Sequence, residues 1–146
     1  MSDSTKRAER CLQKGVDKKL SVLDIRTFIR TSWSTKGYAD IVRSILGDSY
    51  SLSLVLLGEK RALRLNNEYR GKDYVPNVLS FPLDKRSGEV FLTIPRIKKE
   101  AESFGLSPEG HAKFLLIHAC LHLKGYSHGS TMERAEDRLV KSFHIR

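Results

Sequence analysis

At 146 residues the chain can bury a core without disulfide or metal staples, and 40% hydrophobic with 29% charged residues excludes a disordered polymer. Twenty-six Lys and Arg against seventeen Asp and Glu leave a net charge of +9, which attracts polyanions, nucleic acid being the commonest; a merely basic surface fits that charge equally well. No apolar run nears the roughly 20 residues of a membrane span, the N-terminus lacks a secretory apolar segment, and Cys11 and Cys120 make no disulfide framework, so a cytoplasmic protein is expected.

Residues 1–20 are polar and basic, with a Lys18-Lys19 pair, and read as a loosely ordered extension of a single domain covering 1–146. From Leu20 to Trp33, apolar Leu23, Ile25, Phe28, Ile29 and Trp33 recur at mostly helical spacing, and Ala39–Leu46 reads as a short helix closed by Gly47. Ser51–Gly58 starts in alternation and ends fully apolar, which suits a strand with at least one buried face. Glu59–Tyr69 places Ala62, Leu65 and Tyr69 on one helical side, with Gly71 as the stop. Asn77–Leu83 and Glu89–Ile94 are strand candidates around DKRSG, a hairpin in which Pro82 calls for an edge or a strand end.

The last third is helical. Pro95–Phe104 opens on proline and closes at Gly105; Ser107-Pro108-Glu109 starts a helix that runs to about Lys124 and Gly125. Ser130 and Glu133 have capping-box spacing and open a final helix to about Phe143. Strands in the middle and helices at both ends predict an α+β domain with a small sheet covered by helices.

The segment HACLHLKGYSH carries the chemistry. His118 and His122 are four apart, so on a helix they differ by only about 40° and project side by side. Gly125 lets the chain turn back and bring His128 to the same metal, putting the site at the end of a helix. Three imidazoles leave one corner of a tetrahedral zinc site for water, the catalytic rather than the structural pattern, although another divalent transition metal also suits three nitrogens. Metzincin proteases share the H-x-x-x-H-x-x-G-x-x-H spacing but carry a basic glutamate after the first histidine, where this chain has Ala119. The ordinary peptidase reading is thereby weakened, while zinc can activate water without that base and an Arg or Lys can neutralise a phosphate. His111, two turns before His118, reads as a helix-surface histidine, and His144 is assigned nothing.

HACLHLKGYSH resembles the H-G-x-L-H-L-x-G-Y-D-H motif of the YbeY family of bacterial metal-dependent endoribonucleases. NNEYRGKDYVPNVLSFPLD and GEVFLTIPRIKKEA are similar to that family's upstream segments, in the same order, so the resemblance spans about Asn66 to His128. It implies a four-stranded α+β fold, with the fourth strand drawn from the N-terminal region. It also implies His118, His122 and His128 as zinc ligands, and Arg70 as the arginine near the metal that helps bind or cleave RNA. Ser80 and Phe81 fall in the strand lining the family's cleft, and Lys72 reads as ordinary surface charge. The implied activity is single-strand endoribonuclease action in ribosomal RNA (16S) maturation and ribosome biogenesis, with RNA as partner and neither DNA nor membrane. The family's Gly is Ala119 here, its Asp before the third ligand is Ser127, and the loop after Arg70 carries Val75-Pro76. The rivals are a zinc peptidase-like hydrolase, and a non-catalytic ribosome-associated factor in which zinc is structural.

Overall fold

The computed structural model describes residues 23–146. The expectations for residues 1–20, with Cys11 and the Lys18-Lys19 pair, lie outside the described residues. Four strands, β1 (Leu23–Thr27), β2 (Ser51–Leu57), β3 (Val78–Asp84) and β4 (Ser87–Thr93), form one sheet in the order β1-β2-β4-β3. β1 and β4 both run parallel to β2, and β3 is antiparallel to β4. The helices are α1 (Tyr38–Leu46), α2 (Glu59–Arg70), α3 (Ile94–Glu100), α4 (Pro108–Lys124) and α5 (Ser130–Ser142), with a 3-10 turn at Ala101–Phe104. The α+β architecture with a small four-stranded sheet is as expected from the sequence.

The apolar run in β2 has a direct cause. Side chains alternate across a strand, and both faces of this sheet are covered. Leu52, Leu54 and Leu56 enter the main core with α1, α4 and α5, whereas Val55 and Leu57 enter a second core with Ala62 of α2. On β4, Val90 and Leu92 take the first side and Phe91 the second. A strand with two buried faces has little use for polar residues, so alternation fades into SLSLVLL.

The helical expectation for Leu20–Trp33 fails at its start: Leu23–Thr27 is a strand. Leu23 and Ile25 are two apart and pair in parallel register with Leu52 and Leu54, and the Phe28 N–H continues the ladder to the Leu56 carbonyl at 2.9 Å. Non-local pairing overrides the local 3.6-residue spacing. The fourth strand does come from the N-terminal region, where the resemblance requires one. Pro82 lies on edge strand β3, beside the register irregularity between Pro82 and Asp84, where a missing N–H is harmless.

α4 is the central helix, burying Leu115, Leu116, Ile117, Ala119, Cys120 and Leu121. Its start is as read: Ser107 is the N-cap and its Oγ accepts from the Gly110 N–H at 3.0 Å, with Pro108 in the first turn. The final helix departs from its expectation. Gly129, not Ser130, is the N-cap of α5, and no side-chain capping bond forms there, so the Ser130–Glu133 pair is not a capping box. Ser130 has already entered the helix, one position too late to reach back to the free N–H groups.

Candidate metal centre

His118 and His122 sit on the last two turns of α4. Gly125 ends that helix with φ 114°, in the left-handed region, and its N–H closes on the carbonyls of His122 and Leu121. The reversal carries the chain back through Tyr126 to His128, just before α5. Ring centroids are 4.6 Å apart for His118 and His122, 4.5 Å for His122 and His128, and 5.3 Å for His118 and His128. One donor atom from each ring lies within 4.8 Å of the others, so the three could hold a metal ion.

Hydrogen bonds decide which nitrogens face inward. His118 Nδ1 lies 2.8 Å from Glu136 Oε1 on α5, and His122 Nδ1 lies 3.1 Å from the Tyr126 carbonyl oxygen. Both partners are acceptors, so each Nδ1 carries its proton and donates. Each Nε2 is then left with a lone pair, and the two Nε2 atoms are 3.1 Å apart. Two lone pairs at that distance repel unless a cation lies between them. Zinc–nitrogen bonds of about 2.0–2.1 Å in tetrahedral geometry separate two ligand nitrogens by roughly 3.3 Å, close to this spacing. The donor set therefore fits a zinc-sized transition metal. Burial, followed by the neighbouring His118, lowers the His122 pKa, with the Tyr126 carbonyl opposing; the balance favours the neutral imidazole a metal requires.

Arg70 ends α2, where Gly71 caps the helix, and it shares with the three histidines a cleft of about 340 Å³ that includes Ser80. Its neighbourhood is held by Asn66, a fully buried residue to which no local sequence signal gives a role. Asn66 Nδ2 donates to the Tyr74 carbonyl at 2.9 Å, while the Asn66 backbone carbonyl accepts from the Lys72 N–H at 3.2 Å. These bonds tie the loop after Arg70 to α2, and Val75 packs on the second core. Phe81 packs edge-on against Tyr69 and Phe91, which is a structural role. Lys72 is exposed.

Glu136 was also missed, because it is eighteen residues from His118 and on another helix. His111 corrects the surface expectation. It is fully buried, with Nε2 2.8 Å from Glu100 Oε1 and its ring stacked on Phe104 and nearly parallel to Phe114.

Among the described residues no helix is long and apolar enough to cross a membrane. A family model described as Endoribonuclease YbeY matches residues 17–143. A Neisseria meningitidis serogroup B protein named Endoribonuclease YbeY is 36% identical over 136 residues, covering 80% of this chain and 75% of its own. A Methylobacillus flagellatus protein of the same name is 32% identical over 111 residues, covering 74% of each chain. The solution structure of TM1509 from Thermotoga maritima covers 82% of this chain and 87% of its own with a TM-score of 0.61; at 23% identity it speaks to the fold alone. With a family model matching residues 17–143 and relatives above 30% identity, the chain belongs to the endoribonuclease YbeY family.

Proposed function

We propose that this chain is a single-domain, zinc-dependent endoribonuclease of the cytoplasm, preferring single-stranded RNA and acting in 16S ribosomal RNA maturation and ribosome biogenesis. The observation that carries the reading is the convergence of the His118 and His122 Nε2 atoms, 3.1 Å apart, with His128 beside them and Arg70 lining the same cleft.

His118, His122 and His128 would hold the ion. Bound zinc supplies Lewis acidity and lowers the pKa of water to about 7. The protein's own groups do the rest. Glu136 and the Tyr126 carbonyl keep both imidazoles in the ligand tautomer. Arg70 presents a planar guanidinium, suited to two phosphate oxygens and to the charge that grows on them during cleavage. The +9 net charge draws the polyanion to the surface with a salt-dependent affinity.

A peptidase reading loses further ground in three dimensions. Ala119 supplies no carboxylate, and Glu136 is spent on the Nδ1 side of His118, away from the Nε2 atoms. The test is cleavage of single-stranded RNA by freshly purified protein beside His118→Ala and Arg70→Ala. Cleavage by wild type alone, with Arg70→Ala still folded and still binding zinc, is the expected result. Equal cleavage by all three would expose a contaminating nuclease and overturn the enzyme reading. RNA binding without any cleavage by zinc-loaded wild type would support the structural-zinc rival instead.

A further inference from the structure

The metal centre has a second side. Opposite in character to the Arg70 cleft, a hollow of about 340 Å³ runs from His118 and His128 to Phe104, with Asn77, Phe114 and Glu133 on its walls. Phe104 lies in the 3-10 turn and is 57% exposed, the most exposed of the large hydrophobic residues among those described.

Its ring is nevertheless held rigidly. Phe104 stacks on His111 with centroids 4.6 Å apart and planes 19° from parallel, and the Phe114 ring is nearly parallel to that of His111, at 6.3 Å and 12°. His111 cannot swing away, because it is fully buried and its Nε2 is bonded to Glu100 Oε1. One face of Phe104 is thus covered by a fixed His111 ring, and 57% of the residue remains open to solvent. A preformed flat apolar surface of this kind is what a nucleobase stacks upon.

Charge separates the two sides of the centre. Arg70 lies in one cleft, whereas the Phe104 hollow carries the carboxylates of Glu133 and Glu136. Glu136 is engaged by His118, but Glu133 is exposed. Carboxylates repel a phosphate and accept from the exocyclic amine of a base. We infer that the Phe104 hollow is a nucleobase subsite: a base next to the scissile phosphate stacks on Phe104 while Arg70 takes the phosphate across the metal centre. The inference rests on the endoribonuclease reading and adds to it a residue that positions substrate. Glu133 favours bases with an exocyclic amino group, adenine, cytosine or guanine, over uracil at that position.

The experiment uses zinc-loaded full-length protein and short single-stranded RNAs with one cleavage position. Each RNA is made intact and with a single abasic nucleotide placed in turn on either side of the cut. Wild type should cleave the intact RNA with kcat/KM about tenfold or more above the RNA that is abasic at the subsite position. Phe104→Ala should lose a similar factor on the intact RNA and almost nothing on that abasic one. Phe104→Trp should restore the preference, and a 2-aminopurine at the same position should be quenched on binding to wild type but not to Phe104→Ala. If wild type cleaves and Phe104→Ala loses equally on both RNAs, or loses nothing, the subsite is wrong and the nuclease reading stands. If wild type cleaves no RNA, the nuclease reading falls and takes the subsite with it.

Discussion

Glu136 on α5 accepts a hydrogen bond from His118 on α4 at 2.8 Å, so the last helix of the chain sets the tautomer of a histidine eighteen residues earlier. The carboxylate is only partly exposed, which strengthens its hold on the ring. Partners of this kind orient a ligand and raise its basicity, and their loss commonly lowers metal affinity by about 10–100-fold. Glu136→Ala is therefore expected to weaken zinc binding within that range, and Glu136→Gln, which still accepts, to weaken it less. Competition with a chromophoric chelator measures both. Unchanged affinity in Glu136→Ala would mean that the bond does not serve the metal.

Gly125 joins the two halves of the ligand set. Its φ of 114° is a conformation that side-chain-bearing residues rarely adopt, although no atom lies within 4 Å of the place a Cβ would occupy. The cost of Gly125→Ala is thus conformational rather than steric, about 1 kcal/mol or more. If the backbone relaxes to escape that strain, the path to His128 shifts. Expected outcomes are a lower urea midpoint for the metal-free protein and a further loss in zinc affinity. A variant as stable as wild type, with full zinc affinity, would show that the turn does not depend on glycine.

What could be seen in the sequence was local. The helix from Ser107 to Gly125, the four-residue histidine spacing and the edge position forced by Pro82 each follow from a few neighbouring residues. What could not be seen depends on distant partners. Leu23 and Ile25 become a strand only because β2 offers an edge, and Glu136 faces His118 only once α5 has docked. His111 is buried only because Glu100 and Phe104 arrive from the preceding helix and turn. The Ser130–Glu133 pair misled for a different reason: its spacing is right, but the helix starts one residue too early for it to serve as a cap.

Glu100 makes a further stability prediction. Its Oε1 accepts from the Asn77 amide at 2.6 Å and meets His111 Nε2 at 2.8 Å, tying the residue just before β3 to α3 and α4. Glu100→Ala would strand a fully buried imidazole N–H and a partly buried amide at once. Leaving a buried donor unsatisfied costs about 1–3 kcal/mol each. A loss of at least about 2 kcal/mol is expected in urea unfolding, whereas Glu100→Gln, which keeps an acceptor, should lose less. A loss below about 1 kcal/mol in Glu100→Ala would show that water replaces the carboxylate freely.

Tyr50 predicts an alkaline effect. Burial pushes its hydroxyl up to about 12, with Cys120 and then Asp84 acting in the same direction. The folded-state pKa lies above the unfolded value of about 10, so the folded protein resists ionisation. That contribution to stability is complete below pH 10 and is lost as the pH rises from about 10 toward 12. Tyr50→Phe should flatten this part of the pH–stability profile relative to wild type. The hydroxyl is buried with no hydrogen-bond partner among the described residues, so the variant should be no less stable than wild type at pH 7. Parallel profiles from pH 9 to 12 would refute the assignment.

Arg70 distinguishes a guanidinium from a plain positive charge. It is exposed at the end of α2, so replacing it should not disturb the core. Lysine keeps the charge but loses the planar fork that grips two phosphate oxygens at once. If Arg70 stabilises charge as cleavage proceeds, Arg70→Ala should lower kcat by about 10²–10³-fold, the usual effect of removing one such donor. Arg70→Lys should recover RNA binding almost fully, since the electrostatic attraction survives, and kcat only in part. Single-turnover kinetics beside a binding titration separate the two effects. Should Arg70→Lys match wild type in both, Arg70 acts as a surface charge that gathers RNA, and stabilisation of the reacting phosphate must come from elsewhere in the cleft.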